Sequence, residues 1–145
     1  MSESPVVRLE KDGEIGVIIV NYPPVNALGP GVSEGIIASL NQANADGSIK
    51  AMVLIGDGRS FIAGADIRGF GTGRKRAPIG ERTYDVLDAS PKPVVAAIHG
   101  FALGGGLENA MACHYRIAVA SAKVGLPEVL IGILPGGGEP SACRA

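Results

Sequence analysis

Apolar residues fall into short runs divided by polar and glycine-rich stretches, and the spacing within each run predicts its conformation. Val6 to Leu9 and Ile15 to Tyr22 are β-rich runs joined by Lys11-Asp12-Gly13, a turn signal, so a hairpin is expected. Pro23-Pro24 stops the second strand, because proline brings no N–H to a ladder. Between Pro30 and Ala45, apolar Val32, Ile36, Ile37, Leu40 and Ala43 recur at helical spacing. Ala51 to Gly56 is a short continuous apolar run, read as a buried strand. Gly58 to Gly73 is long, polar and glycine-rich, a length at which loops are often functional. Arg82 to Ala89 is read as a short helix ahead of Pro91 and Pro93.

A second buried strand, Val94 to Ile98, leads through His99-Gly100 into Ala102-Leu103-Gly104-Gly105-Gly106, after which Leu107 to Cys113 reads as a helix. Tyr115 to Val119 follows as a strand, and Val124-Gly125 and Val129-Leu130-Ile131 read as short strands or turns around Pro127-Glu128. Strands and helices alternate, which predicts an α/β class with a largely parallel sheet. No linker, repeat or low-complexity tract argues for a second domain.

Composition narrows what such a chain can do. At 145 residues it has the size of one domain. A hydrophobic share of 46% with net charge −1 disfavours both disorder and nucleic-acid binding. With 4% aromatics and no Trp, small aliphatic residues must fill the core, and 22 glycines imply many tight backbone positions. Cys113 and Cys143 form no metal-ligand spacing and no disulfide framework, as expected in a reducing compartment. No apolar run approaches the roughly 18 residues of a membrane span, and the N-terminus lacks signal-peptide character, so a cytosolic protein is expected. Gly71-Thr72-Gly73 lacks the rest of a dinucleotide fingerprint, and no phosphate-binding Gly-Lys-Ser/Thr loop occurs.

The candidate chemistry begins at the triple glycine. Glycines without Cβ atoms let another group approach closely, and amides at a helix start point outward with no partner in the helix. Glu108 stands in that first turn. Ser60 to Ile67 follows the strand Ala51–Gly56 in the same way, and loops at the carboxyl ends of parallel strands tend to share one crevice. Two convergent amides are what a polarised thioester carbonyl requires. Each feature also has an ordinary reading. Glu108 would complement the helix dipole, Glu128 would be a solvated loop residue, and both glycine-rich segments would be simple turns.

Four segments, in order, resemble the motifs of the enoyl-CoA hydratase/isomerase (crotonase) superfamily: Phe61–Ile67, Pro93–Gly100, Ala102–Glu108 and Leu126–Val129. The run Cys113-His114-Tyr115-Arg116-Ile117-Ala118 is most similar to the hydratase half of multifunctional β-oxidation enzymes. The resemblance implies the crotonase-like (ClpP/crotonase) α/β spiral of ββα units, here incomplete at the C-terminus. It implies that the amides of Ala65 and Gly105 form the oxyanion hole, with Ala63, Gly64, Asp66, Ile67 and Gly104 around the substrate. Glu108 and Glu128 match the paired catalytic glutamates, Glu108 activating water for attack at C3 and Glu128 supplying the proton to C2. The implied substrate is a trans-2-enoyl-CoA thioester, with Δ3,Δ2-enoyl-CoA isomerisation as the sister activity. No metal or redox cofactor is implied, coenzyme A being part of the substrate. The family suggests trimers or hexamers for a complete domain, a monomer in a multifunctional enzyme, and a peroxisomal location as the alternative to the cytosol.

Arg74-Lys75-Arg76 would either meet coenzyme A phosphates or form a solvated loop, whereas His99 is read as structural and His114 as a packing or surface residue. After Gly137 the family pattern continues toward Gly-Thr-Gln-Arg-Leu, but this chain reads Gly138-Glu139-Pro140-Ser141-Ala142-Cys143-Arg144-Ala145. Those residues can be encoded as GGG GAA CCC AGC GCC TGC CGC GCC, and one restored G gives Gly-Gly-Thr-Gln-Arg-Leu-Pro-Arg. Residues 1–137 are therefore read as a partial domain and 138–145 as a frameshift-derived tail. A domain lacking its remainder is expected to expose apolar surface that would otherwise be buried, inviting aggregation or partner binding.

Overall fold

The computed structural model describes residues 4–66, 82–127 and 130. Strands β1 (Val7–Asp12) and β2 (Ile15–Val20) form the expected antiparallel hairpin, with Val7 opposite Val20. The turn is shorter than the sequence suggests. Lys11 and Asp12 belong to β1, and Gly13, at φ +59, with Glu14 makes the reversal. Strands β3 (Ala51–Gly56), β4 (Val94–Ile98) and β6 (Tyr115–Ala118) then add in parallel, giving the order β1-β2-β3-β4-β6. The class predicted from alternation is the class observed.

Helix α1 (Val32–Ala45) starts two residues later than the pattern suggested, because Gly31 takes a left-handed φ of 81° at the N-cap. Its buried stripe is Val32, Ile36, Ser39, Leu40 and Ala43, and it lies close on β1. A Cβ on Gly35 would come within 2.7 Å of Val7 Cβ, so glycine is what allows this approach. The core joins Ile36 and Leu40 to Ile18, Val20, Met52, Leu54, Val94, Ala96 and Ile98 of the sheet and to Leu87 of α2 (Thr83–Asp88). Each of the Val, Ile, Leu and Met side chains among them contributes about 1.5–3 kcal/mol on burial. Lys92 closes the C-terminal end of α1, its Nζ donating to Ala43 O at 2.8 Å and Asp46 O at 2.7 Å, where the dipole favours a cation.

A second, smaller layer grows from the carboxyl ends of these strands. Strand β5 (Phe101–Leu103), absent from the sequence expectation, pairs in parallel with β7 (Lys123–Gly125). Parallel bridges Ile62↔Ala102 and Leu28↔Ala65 extend the layer across residues 62–65 to residues 25–28. The small layer thus repeats the order of the large one. Each strand β2, β3 and β4 leads to one member of it and then to a helix, the last being α3 (Gly105–Ala112). This is a structural repeat of ββα type that no sequence periodicity betrays. Unit β6–β7 lies at the rim, where all four residues of β6 are exposed. Tyr115, Ile117, Val119 and Val124 there are each more than half exposed. Among the described residues, no helix is long and apolar enough to cross a membrane.

Candidate active site

The clasp between residues 62–65 and the start of α3 defines the site. Leu103 N–H donates to Ile62 O at 3.2 Å, and Gly104 N–H donates to Gly125 O at 2.9 Å. On the other side, Leu28 N–H donates to Gly64 O at 2.7 Å and Ala63 N–H to Val25 O at 3.2 Å. The segment 62–65 is therefore held on both edges.

Glycine is required at three points of this clasp. Gly104 caps α3 at φ 51° and ψ −125°, a region unfavourable for any residue with a Cβ. Gly64 stands at φ +99°, and a Cβ there would press to 3.1 Å on Leu103 O. Gly106 is the tightest: a Cβ would fall 1.9 Å from Ile62 O, so α3 and the 62–65 segment touch backbone to backbone. The helix begins at Gly105, not Leu107, so two of the three glycines lie within its first turn. They form no simple turn ahead of the helix, because packing, not propensity, decides their place.

The first bond inside α3 runs from Glu108 N–H to Gly104 O at 3.0 Å, so the amides of Gly105, Gly106 and Leu107 have no partner within the helix. Ala65 is exposed, and its bridge to Leu28 is made through the Gly64 carbonyl rather than through its own amide. Gly105 is partly exposed, and a Cβ on it would lie 2.8 Å from Leu28 Cδ1 and 3.5 Å from Glu108 Oε2. Leu28 thus links Gly105 to the Gly64–Ala65 segment, while the Glu108 carboxylate folds back beside Gly105. Its Oε1 is shut off from solvent. Ala65, Gly105 and Glu108 are brought onto one wall, with Ala63, Gly64 and Gly104 in its frame. Asp66 adjoins, its Oδ2 accepting from Tyr22 OH at 3.5 Å. Ile67, Glu128, Arg74–Arg76 and Gly71–Gly73 lie outside the described residues, as do Val129, Ile131 and the tail 138–145.

Sequence reasoning missed Asn26. This side chain is buried, at φ 56°, and its Oδ1 accepts from Tyr22 N–H at 2.8 Å. Its Nδ2 donates to Asp57 O at 2.9 Å and Ser60 O at 2.8 Å, tying the β2–α1 connection to the segment that carries Ala65. The only available signal was an Asn just after Pro23-Pro24-Val25, a residue tolerant of positive φ. Both histidines bond to backbone, His99 in line with its structural reading. His99 Nε2 is 2.8 Å from Gly58 O, and His114 Nδ1 accepts from Val94 N–H at 3.2 Å. Among the described residues, no three His, Cys, Asp or Glu side chains gather as a metal site.

Comparison with known proteins follows the same lines. Residues 10–144 match the family model described as enoyl-CoA hydratase/isomerase. The chain belongs to the enoyl-CoA hydratase/isomerase family. It is 42% identical over 136 residues to "Probable enoyl-CoA hydratase" of Bacillus subtilis, covering 90% of this chain and 53% of the relative. It is 49% identical over 128 residues to "Peroxisomal bifunctional enzyme" of Cavia porcellus, covering 84% of this chain and 17% of that protein. Among solved structures, enoyl-CoA hydratase subunit I from Geobacillus kaustophilus superposes with a TM-score of 0.85 at 34% identity, covering 98% of this chain and 57% of that one. The fold is crotonase-like, and the chain spans about half the length of these hydratase relatives.

Proposed function

We propose that this chain carries the catalytic half-site of an enoyl-CoA hydratase, adding water across trans-2-enoyl-CoA to give 3-hydroxyacyl-CoA in fatty-acid β-oxidation. The clasp of residues 62–65 against Ala102–Gly106 carries this reading, because it sets Ala65 and Gly105 on adjoining segments with Glu108 beside them. In the reaction, the thioester oxygen accepts hydrogen bonds from the Ala65 and Gly105 amides. Glu108 removes one proton from water as its oxygen bonds to C3. The C2=C3 electron pair moves into an enolate whose negative oxygen those two amides stabilise. Glu128 then protonates C2, and a proton passed from Glu108 to Glu128 restores the starting state. One such amide is worth about 10²–10³-fold in rate, and acid–base help about 10²–10⁴-fold. The chemistry calls for no metal or redox cofactor.

Two glutamates favour hydration over Δ3,Δ2 isomerisation, which needs one acid–base group. In the protein as its gene encodes it, crotonyl-CoA should lose its enone absorbance faster than a 3-enoyl-CoA is converted. Glu108→Gln and Glu128→Gln should each abolish hydration, and a near-normal rate in either would reject its role. A second reading is favoured by the exposed Tyr115, Ile117, Val119 and Val124: the segment alone is an inactive remnant with at most coenzyme A binding or subunit contacts. A sharply melting oligomer with turnover would overturn it. Trimeric or hexameric assembly, a cytosolic or peroxisomal location, and a frameshift after Gly137 complete the proposal. Independent DNA that still encodes Glu139-Pro140-Ser141-Ala142 would dismiss the frameshift.

A further inference from the structure

One side chain on α3 contradicts the face it occupies. Gly106, Asn109 and Ala110 form the buried stripe of the helix, continued by Cys113 at its C-cap, and Asn109 is only 1% exposed. Its Nδ2 donates to Gly105 O at 2.7 Å, one turn back. Its Oδ1 is buried, with no hydrogen-bond partner among the described residues. An apolar side chain would avoid that unmatched acceptor, so the amide costs stability where it stands. Sites that retain such a cost are commonly functional.

The position of the bond indicates what is gained. Gly105 O belongs to the same peptide as Gly106 N–H, so a donor on that carbonyl fixes the peptide plane and polarises the amide at its other end. That peptide lies in the first turn of α3, between the Gly105 amide and Glu108. We infer that Asn109 is a positioning residue: its side-chain amide holds and polarises the Gly105–Gly106 peptide, keeping the outward amides of the first turn and Glu108 in register with Ala65. This rests on the hydratase reading, because it assigns Asn109 to the same wall.

The test compares Asn109→Ala, Asn109→Ser and Asn109→Leu in the protein as its gene encodes it. Serine in a helix donates its hydroxyl to the carbonyl one turn back, so it restores the bond in nearly the volume of alanine. Crotonyl-CoA hydration should lose about 3- to 10-fold in kcat in the Ala and Leu variants, the worth of one hydrogen bond, with KM unchanged. The Ser variant should recover to within about twofold of wild type. Leucine should melt no lower than wild type, which separates positioning from folding. The Gly106 amide proton, read by NMR, should move upfield with Ala and Leu but not with Ser. Wild-type kcat in the Leu variant, or a Ser variant indistinguishable from Ala, would overturn the inference. Should the wild-type protein not hydrate crotonyl-CoA, the hydratase reading falls, and the Gly106 amide series alone decides whether Asn109 holds this peptide.

Discussion

Adding one methyl group at Gly106 probes the contact on which the site depends. The new Cβ would lie 1.9 Å from Ile62 O, 2.7 Å from Ile62 C and 3.0 Å from Ile62 Cβ. Two of these are backbone atoms with no rotamer through which to escape. Ordinary contact requires α3 and the 62–65 segment to part by roughly 1.5 Å. Overpacking of this kind costs about 1–3 kcal/mol, and alanine's better helix propensity returns at most about 1 kcal/mol. A net loss of about 1–2 kcal/mol should lower Tm by about 3–8 °C in a domain of this size. Gly47→Ala, with open space around it, serves as the control and should leave Tm unchanged or slightly raised. Because a misplacement of about 1 Å at an oriented site can cost about 10²-fold, the loss in hydration should far exceed the loss in stability. Circular-dichroism melting and the crotonyl-CoA assay read the two effects separately. A Gly106→Ala protein with wild-type Tm and wild-type rate would refute the backbone contact between Ile62 and α3.

Asn26→Ala removes a buried amide that makes three hydrogen bonds and should destabilise the chain by about 2–4 kcal/mol in a urea titration, with Asn26→Gly little better although it suits the positive φ. A change below about 0.5 kcal/mol would count against that tie. Burial pushes the Cys113 thiol up to about 12, so in a Cys143→Ser background the native chain should resist a thiol reagent at about pH 8 and react only when unfolded. Hydrogen bonds from the Ser48 hydroxyl and amide hold the Asp46 carboxyl down at about 2 from its ordinary 3.8, with Lys11 adding a smaller attraction. Its small contribution to stability should therefore be present above about pH 4 and vanish as pH falls through about 2, and a carboxyl NMR titration with a midpoint near the ordinary value would contradict this.

The main sheet was legible because β2, β3 and β4 are apolar runs closed by glycine or proline, a signal that survives without tertiary information. Val94–Ile98 and Ala51–Gly56 fall where the pattern puts them. Phe101-Ala102-Leu103 was not legible as a strand, being too short to alternate and defined by its pairing with Lys123–Gly125. Gly105 and Gly106 read locally as a turn before Leu107, yet they open α3, and at Gly106 Ile62 O leaves no room for a Cβ. Asn26 carries no local signature of its partners, since the carbonyls of Asp57 and Ser60 reach it only through the fold. The family motif was plain in Gly104-Gly105-Gly106-Leu107-Glu108, but Ala65 comes from a separate strand junction. What joins them is the Ile62↔Ala102 bridge, a property of the backbone.

The claim that the Ala65 and Gly105 amides bind one thioester oxygen is open to direct measurement. Butyryl-CoA, which carries the carbonyl but no double bond, can be titrated into isotope-labelled protein alongside the thioether analogue that lacks the oxygen. Both amide protons should move downfield together with butyryl-CoA and stay in place with the thioether. Movement of only one amide, or equal shifts with both ligands, would contradict a two-donor oxyanion hole.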